Sequence, residues 1–341
     1  MKRHGNLYHK VYDIENIKLA HKNARKGKAH YKEVQMVDAD IDTYCEKVSE
    51  LLRNKEFINS EYRKYTKSDR GKQREIHKLP YFPDRIVHHA ILQVLEPIWK
   101  KTLINNTYQS IKGRGVHKAK KKLEPVIRSG KYKYCLKFDI AKFYPSVDNE
   151  IMKDIVRRKL KCVDTLWLLD KIIDSTKGLP IGNYLSQYLG NLYLTYFDHW
   201  VKQELRVKEY YRYCDDIVLL DVCKKALHNR LGRIRNYLVF NLKLLMKSDY
   251  RVFPLSLGLD FLGFRFFERY TLLRKKIATN FKRATGRFVE VGKLEFDSMI
   301  SYYGWTVYSN GNNLWNKQIT PTVVLSVERL MLVNKIIGGR L

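Results

Sequence analysis

The chain has 341 residues, with 65 Lys and Arg against 35 Asp and Glu, for a formal charge of +30. Its 45% hydrophobic content supports a folded core spread over two or three lobes of about 100 to 200 residues each, and excludes a disordered tail. The charge is far beyond what solubility needs and points to a polyanionic partner, nucleic acid first. The 24 Tyr suit either base stacking or core packing. Cys45, Cys135, Cys162, Cys214 and Cys223 are scattered with no C-x-x-C pair, which argues against a disulfide framework or a zinc site and for a reducing cytoplasm. No apolar run follows Met1-Lys2-Arg3-His4-Gly5, and none approaches the roughly 18 residues of a membrane span. A cytoplasmic protein without a membrane partner is expected.

Residues up to about 70 are polar, basic and helix-prone. Ile41, Tyr44, Cys45, Val48, Leu51 and Leu52 recur at a helical period and predict an amphipathic helix over Ile41 to Leu52. Arg74 to Leu79 reads as a short strand ending at Pro80. Asp84 is placed to cap a helix from Arg85 to Glu96, closed by Pro97. Gly113-Arg114-Gly115 opens a loop before a basic helix with His117, Lys118, Lys120, Lys121 and Lys122, either a solvated face or a nucleic-acid contact.

Tyr132 to Asp139 alternates as a strand. Tyr132, Tyr134, Leu136 and Phe138 face one way, and Lys133, Cys135, Lys137 and Asp139 the other. Asp139 therefore ends the strand on its more polar face. Phe143-Tyr144-Pro145-Ser146 reads as a break, followed by a helix capped by Asp148. Gly178 to Gly182 is a loop. The next helix carries Leu185, Leu189, Leu192 and Tyr196 on one stripe, with Ser186 and Gln187 in its first turns. Tyr210 to Tyr213 and Ile217 to Leu220 predict a hairpin whose turn holds Asp215 and Asp216, then an amphipathic helix to about Val239. Leu259 to Arg265 and Leu272 to Ile277 predict a second hairpin turning near Glu268-Arg269. From about Asn280 the pattern is helical and basic, and it ends in a Gly-rich tail.

An Asp-Asp turn alone is usually just solvated. Asp139 at a strand end changes that reading. If the two elements are neighbours in one sheet, three carboxylates converge and need cations. Oxygen-only ligands select hard ions, Mg²⁺ in particular. Two such ions about 4 Å apart can hold the attacking and leaving oxygens of a phosphoryl transfer.

The chain resembles a reverse transcriptase. Lys137-Phe138-Asp139-Ile140-Ala141-Lys142-Phe143-Tyr144 is similar to the family's first palm motif, Gly178-Leu179-Pro180-Ile181-Gly182 to its second, and Tyr213-Cys214-Asp215-Asp216 to its Y-x-D-D motif. Phe261-Leu262-Gly263-Phe264 resembles the primer grip, and Asp84 to Ala90 a finger segment of bacterial members. The resemblance spans about residues 70–270. It implies an α+β right-hand polymerase fold, with a helical extension over 1-70, fingers over 71-130, palm over 131-268 and a mostly helical thumb over 269-341.

Ile181-Gly182-Asn183-Tyr184-Leu185-Ser186-Gln187 further resembles the signature of diversity-generating retroelements, whereas retroviral enzymes carry Gln at the place of Ile181. That subtype implies copying of a template RNA into cDNA, through a cDNA/RNA hybrid and dNTPs, with errors at template adenines. It also implies mutagenic retrohoming, a basic oligomeric helical accessory protein, and a bacterial cell with a chromosomal or phage-encoded element. The alternatives are a retron, group II intron-derived or phage-defence reverse transcriptase, or a non-catalytic RNA-binding scaffold.

The resemblance also assigns roles. Asp139 and Asp215 are the principal metal ligands, with the Ile140 carbonyl beside them and Asp216 as third acid, for two Mg²⁺ ions or Mn²⁺ as a substitute. Tyr144 stacks under the sugar and excludes a 2′-hydroxyl. Ile181, Gly182 and Gln187 line the nucleotide site, and Phe261, Leu262 and Gly263 grip the primer. Relatives carry Arg-Pro where this chain has Ile111-Lys112, so the triphosphate ligand stays open between Arg74, Arg114, Lys112 and Lys78. Lys247 is either the lysine that protonates pyrophosphate or a solvated one. Cys214 receives no role.

Overall fold

The computed structural model describes residues 2–69, 72–291 and 296–317. The Gly-rich tail lies outside these residues. The chain opens with four helices, α1 (Tyr8–Tyr12), α2 (Ile14–Ala24), α3 (Lys32–Ala39) and α4 (Ile41–Arg53), then β1 (Arg63–Asp69), β2 (Lys72–Lys78), α5 (Ile86–Lys100) and β3 (Thr107–Tyr108). Next come α6 (Val116–Arg128), β4 (Tyr134–Asp139), α7 (Phe143–Ser146), α8 (Asn149–Arg157), α9 (Val163–Asp174), α10 (Tyr184–Tyr193) and α11 (Thr195–Gln203). The hairpin strands β5 (Glu209–Tyr213) and β6 (Asp216–Asp221) lead to α12 (Lys224–Leu242). The described chain closes with β7 (Arg251–Pro254), β8 (Leu259–Phe261), β9 (Phe264–Phe266), β10 (Thr271–Leu273), α13 (Lys275–Val291) and α14 (Phe296–Val307). No helix of the described residues is long and apolar enough to cross a membrane.

The chain divides into two compact units. The first takes the residues up to Lys112, Lys137–Val218 and Asn229–Tyr250. The second takes Gly113–Leu136, Leu219–His228 and the described residues from Arg251 on.

In the first unit α2 packs on α5, and Ile17 and Ala20 of α2 and Val87, Ala90 and Ile91 of α5 are buried. Side-chain caps start several helices. Asp13 accepts from the Glu15 and Asn16 amides, Asp40 from Thr43 and Asp148 from Ile151, which satisfies N–H groups that have no partner within the helix. The sheet runs β3, β5, β6, β4, with β3 parallel to β5.

Beneath that sheet lies a charged pair. Arg212 on β5 and Asp198 on α11 are both 0% exposed. Arg212 Nε donates to Asp198 Oδ1 at 2.8 Å and Nη2 to Oδ2 at 2.7 Å. Asp198 also accepts from Tyr210 Oη (2.6 Å) and Thr107 Oγ1 (2.9 Å). Nη1 and Nη2 of Arg212 reach Asn191 Oδ1 and O, both at 3.1 Å. Buried charges survive only when paired and fully hydrogen-bonded, and this network meets that condition while tying β3, β5, α10 and α11 together.

In the second unit β8, β9 and β10 form an antiparallel meander. Leu262 and Gly263 make its first turn, with φ +58° and +86°. Two left-handed residues between paired strands form the tight turn whose twist matches a hairpin. A Cβ on Gly263 would come within 2.7 Å of Trp305.

Several expectations are corrected. Asp84 does not cap α5: it is buried, and its carboxylate accepts from Ser60 N (2.8 Å) and Oγ (2.7 Å). Pro97 does not close α5, which runs on to Lys100. Trp99 beyond it is fully buried, and that burial offsets the hydrogen bond the proline cannot make. Phe143 to Ser146 is a helical turn rather than a break. The helix after Gly182 stops at Tyr193, and Tyr196 belongs to α11. Cys135 is buried, so both faces of β4 are covered and only its end is polar. The expected single hairpin at Leu259 is three strands, and Ile277 is helical.

Burial also sets a pH limit. His88 on α5 lies 3.1 Å from Asn59 Oδ1 through Nε2, the geometry of a neutral ring donating. Burial, with repulsion from His89 and Arg85, holds its pKa down at about 3. Above pH about 6.5 the ring is neutral in both folded and unfolded chains. As pH falls from there toward 3, the unfolded chain binds a proton that the folded chain refuses. Stability should therefore fall, with His88 contributing on the order of 1.4 kcal/mol per pH unit. In urea melts between pH 7 and pH 4, His88→Gln, whose amide keeps the Asn59 bond, should show a shallower decline. An unchanged slope would assign the pH sensitivity to other groups.

Candidate active site

Asp139 is the last residue of β4, where the strand leaves the sheet. The backbone there pairs with residues 245–247. Ala141 N donates to Leu245 O at 2.7 Å, Ile140 bridges Met246, and Lys247 N donates to Asp139 O at 2.9 Å. This pairing brings the Lys247 ammonium to 2.7 Å from Asp139 Oδ2. Lys247 is thus an ion-pair partner of the strand-end acid and not a solvated surface lysine. Its ammonium pKa is raised by Asp139 against the opposing effect of burial.

Cys214 and Asp215 link β5 to β6, and Asp216 begins β6. Cys214 has φ +58°, a conformation that costs a side-chain-bearing residue energy and persists where surrounding contacts impose it. One such contact is plain: Arg212 Nη1 donates to the Cys214 carbonyl at 3.1 Å. The buried Arg212–Asp198 pair therefore reaches the turn that aims Asp215. Sequence reasoning gave neither Arg212 nor Cys214 a part in the site. An arginine between tyrosines in an otherwise apolar strand was the available signal.

The three acids sense one another. Burial, then Asp139, raises the Asp215 pKa. Burial raises that of Asp216 to about 7, against the pull of Lys137, with Asp139 and Asp215 adding to the rise. Lys137 Nζ stands 3.3 Å from Asp216 Oδ2, while Asp216 Oδ1 is buried without a partner. The cluster holds more negative charge than its two lysines offset, so it favours added cations.

Among the described residues no group of three or more His, Cys, Asp or Glu side chains is arranged to hold a metal ion. In donor chemistry the residues nonetheless fit a hard divalent cation: every donor is oxygen, two acids have raised pKa values, and one carboxylate oxygen lacks a partner.

The glycine-proline loop packs on the acid-bearing segment. Leu179 N donates to Tyr144 O at 2.8 Å, and Gly178 N to Asn149 Oδ1 at 3.1 Å. Gly178 has φ +73°, and a Cβ there would lie 2.6 Å from Pro145 O. Gly182 has φ +125°, and a Cβ there would lie 2.9 Å from His77 O. His77 N in turn donates to Ile181 O at 2.8 Å. The loop is thus clamped between α7 and β2, and glycine is needed at both approaches. Gln187 Oε1 accepts from Ser110 Oγ at 2.9 Å.

Tyr144 stands over the acid turn. Cys214 Sγ is 3.8 Å from its hydroxyl, and its ring rests against Gly190. Burial, then Cys214 and Asp215, push the phenol pKa up. The cationic candidates are dispersed. Arg74 is on the exposed face of β2, opposite Lys67. Lys78 pairs with Glu33 at 4.0 Å. Lys112 lines a cavity that none of the three acids borders. Arg114, Phe261, Leu262 and Gly263 belong to the second unit.

A mixed helix-and-sheet fold with acids at a strand end and a hairpin turn is that of the reverse-transcriptase-like polymerases. Residues 64–265 match the family described as reverse transcriptase (RNA-dependent DNA polymerase). The chain belongs to the reverse transcriptase family. It is 24% identical over 299 residues to Protein YkfC of Escherichia coli (strain K12), covering 74% of this chain and 77% of that protein. Apo telomerase from Candida tropicalis is similar in structure with a TM-score of 0.51 at 11% identity, over 82% of this chain and 62% of that one. A telomerase from Candida albicans in complex with a fragment of telomeric RNA gives 0.49 at 10% identity, over 83% and 60%. The chain thus spans less than two thirds of either telomerase chain.

Removing the cation under the turn should be costly. Arg212→Met leaves Asp198 buried and uncompensated, a loss of about 3 to 5 kcal/mol. Chemical denaturation should show it directly. A loss below about 1 kcal/mol, within the range of an exposed ion pair, would mean that the network is not a structural hub.

Proposed function

We propose that the chain is an RNA-directed DNA polymerase that copies a template RNA into cDNA from dNTPs. What supports the reading most is that Asp139 ends β4 beside β6, which begins at Asp216 next to Asp215, that these acids influence one another's pKa values, and that Lys247 pairs with Asp139. Family membership supports it. In the reaction, the primer 3′-oxygen attacks the α-phosphorus of a dNTP. The bond to the bridging oxygen breaks, pyrophosphate leaves, and the hydroxyl proton is lost to solvent.

Asp139 and Asp215 would hold the divalent ions, Mg²⁺ first, with the Ile140 carbonyl and Asp216 beside them. Such ions, when bound, lower the pKa of the attacking hydroxyl and neutralise the leaving pyrophosphate. Lys247 pairs with Asp139 at 2.7 Å. Its ammonium would supply a proton to the leaving pyrophosphate. Tyr144 meets the sugar and excludes a ribose 2′-hydroxyl. The Gly178–Gly182 loop and Gln187 border the nascent pair, and Phe261 to Gly263 hold the primer. Residues 71-130 act as fingers, 131-268 as palm and 269-341 as thumb.

The subtype we infer is the diversity-generating retroelement enzyme, error-prone at template adenines and assisted by a basic helical oligomeric protein. The stretch from Ile181 to Gln187 supports it. Ile181 spends its carbonyl on His77, and its side chain offers no hydrogen bond to the primer–template. A weaker geometric check on the base pair follows.

Asp215→Asn should cut Mg²⁺-dependent dNTP incorporation on an RNA template by at least about 10³-fold, the scale of losing a group that acts on the transition state. RNA binding by filter retention should persist. Incorporation at the wild-type rate would remove Asp215 from the site, whereas no incorporation by the unaltered chain would favour a non-catalytic scaffold. Ile181→Gln should lower misincorporation opposite template adenine severalfold by sequencing of the cDNA. An unchanged error spectrum would detach fidelity from this side chain.

A further inference from the structure

The first unit contains a cavity of about 640 Å³ between α2, α5, the residues just after β3 and the start of α10. That is the size of a small-ligand site. Its walls carry Lys26, Lys28, Arg85 and Lys112 against one acid, Glu96. Nearby cations that serve the fold are paired: Arg25 holds Asp38 at 2.8 Å and Lys78 holds Glu33 at 4.0 Å. The cavity cations differ. Arg85 Nε is buried with no partner, and neither Arg85 nor Lys28 has a carboxylate within ion-pair distance among the described residues.

Burial and neighbouring positive charge weaken these groups. Burial, then Arg85, lowers the Lys28 pKa, and burial lowers that of Arg85. Burial, then Arg85, Lys28 and Lys26, depress His89 to about 4. A fold that gathers unpaired cations around a cavity meets a desolvation and repulsion cost that an anion would relieve.

The cavity also has an aromatic wall. The rings of His89 and Tyr184 stack at 4.9 Å between centroids and 14° between planes. Tyr184 is still 39% exposed, so part of its ring remains open. A neutral His89 and a tyrosine present π faces to a base, while Arg85 and Lys28 offer N–H donors to a phosphate. The polar wall is set in advance, because Asn23 Nδ2 donates to Gln93 Oε1 at 2.8 Å and Gln93 Nε2 to Asn16 Oδ1 at 2.9 Å.

We propose that this cavity is a second nucleotide-binding site, separate from the acid cluster, which takes one unpaired phosphorylated nucleotide with its phosphate on Arg85 and Lys28 and its base against Tyr184 and His89. The proposal rests on the reading of this chain as a nucleic-acid enzyme but not on its catalysis. The nucleotide is free or part of a single strand, and the recognition chemistry is the same.

The test uses the full chain and no polymerisation. The probe is a 5′-phosphorylated RNA trinucleotide containing 4-thiouridine, with 5′-UMP as competitor. Photo-crosslinks mapped by mass spectrometry should fall on Tyr184 or His89. The pair Lys28→Gln, Arg85→Gln should weaken trinucleotide binding about tenfold or more, the scale of losing hydrogen bonds between charged groups. The charge-matched pair Lys10→Gln, Lys171→Gln should change it less than about threefold, because those lysines are exposed on α1 and α9 and affect only the overall field. Competition by 5′-UMP identifies a free-nucleotide site, and trinucleotide binding without it identifies a strand site; either result supports the proposal. Equal losses in the two pairs, or crosslinks confined to other residues, would overturn it. Because catalysis is not read, a failure here leaves the polymerase assignment standing, and an inactive Asp215→Asn chain can still pass.

Discussion

The buried pairing of Arg212 with Asp198 is the constraint on which the catalytic region depends. A guanidinium has five donors and no acceptor, so its burial demands acceptors on several sides. Here they come from Asp198, from the side chain and backbone of Asn191, and from the Cys214 carbonyl. Three of the four partners are packed core. The fourth is the first residue of the turn that presents Asp215. The geometry of a strained, largely buried turn is thereby fixed from inside, where side chains cannot move without leaving a charge unpaired.

Above that foundation sits the opposite electrostatic situation. Asp139, Asp215 and Asp216 are brought close without enough cation to satisfy them, and the partnerless Asp216 Oδ1 shows the deficit. Lys247 and Lys137 moderate the repulsion. The lysines are placed by different means, one by backbone pairing of residues 245–247 with 139–141, the other by its position two residues before Asp139 on the same strand. A site that is under-neutralised but held rigidly from below can exchange ammonium for other cations without rearranging its frame. In a chain of net charge +30 such a cluster needs this isolation, since any flexible segment nearby would bring a surface lysine into it.

Much of this was legible in the sequence, and the reasons are local. Alternation placed Asp139 at a strand end, and β-branched and aromatic flanks placed Asp215 and Asp216 at a hairpin turn. Helix periods located α4, α5 and α12. What escaped depended on distant partners. Asp84 has the form of an N-cap, yet Ser60 claims its carboxylate. Leu262-Gly263 looked like strand interior because neither residue marks a turn as strongly as Asn-Gly, and the left-handed φ values appear only once Phe261 pairs with Phe264. Lys247 was named only through the resemblance, and its partner Asp139 left no local mark, since that pairing comes from a strand more than a hundred residues earlier. Cys214 seemed uninformative because a side chain was sought, whereas its backbone is what Arg212 holds.

The motif loop shows why a short sequence signature can reflect physics on two fronts. Gly178 and Gly182 flank Leu179, Pro180 and Ile181, and each glycine meets a backbone carbonyl where a Cβ would clash, Pro145 on one side and His77 on the other. The loop is a strap between the segment following Asp139 and the strand β2. Its glycines are set by those two approaches, and its proline cannot donate where no acceptor is needed. The positions left free to vary are the ones whose side chains neither approach constrains. Ile181 is such a position, since its carbonyl is committed to His77 and its side chain is not. A change of side chain there leaves the two clamping approaches and the His77 bond in place, so the chemistry of that single side chain is separable from the stability of the loop that presents it.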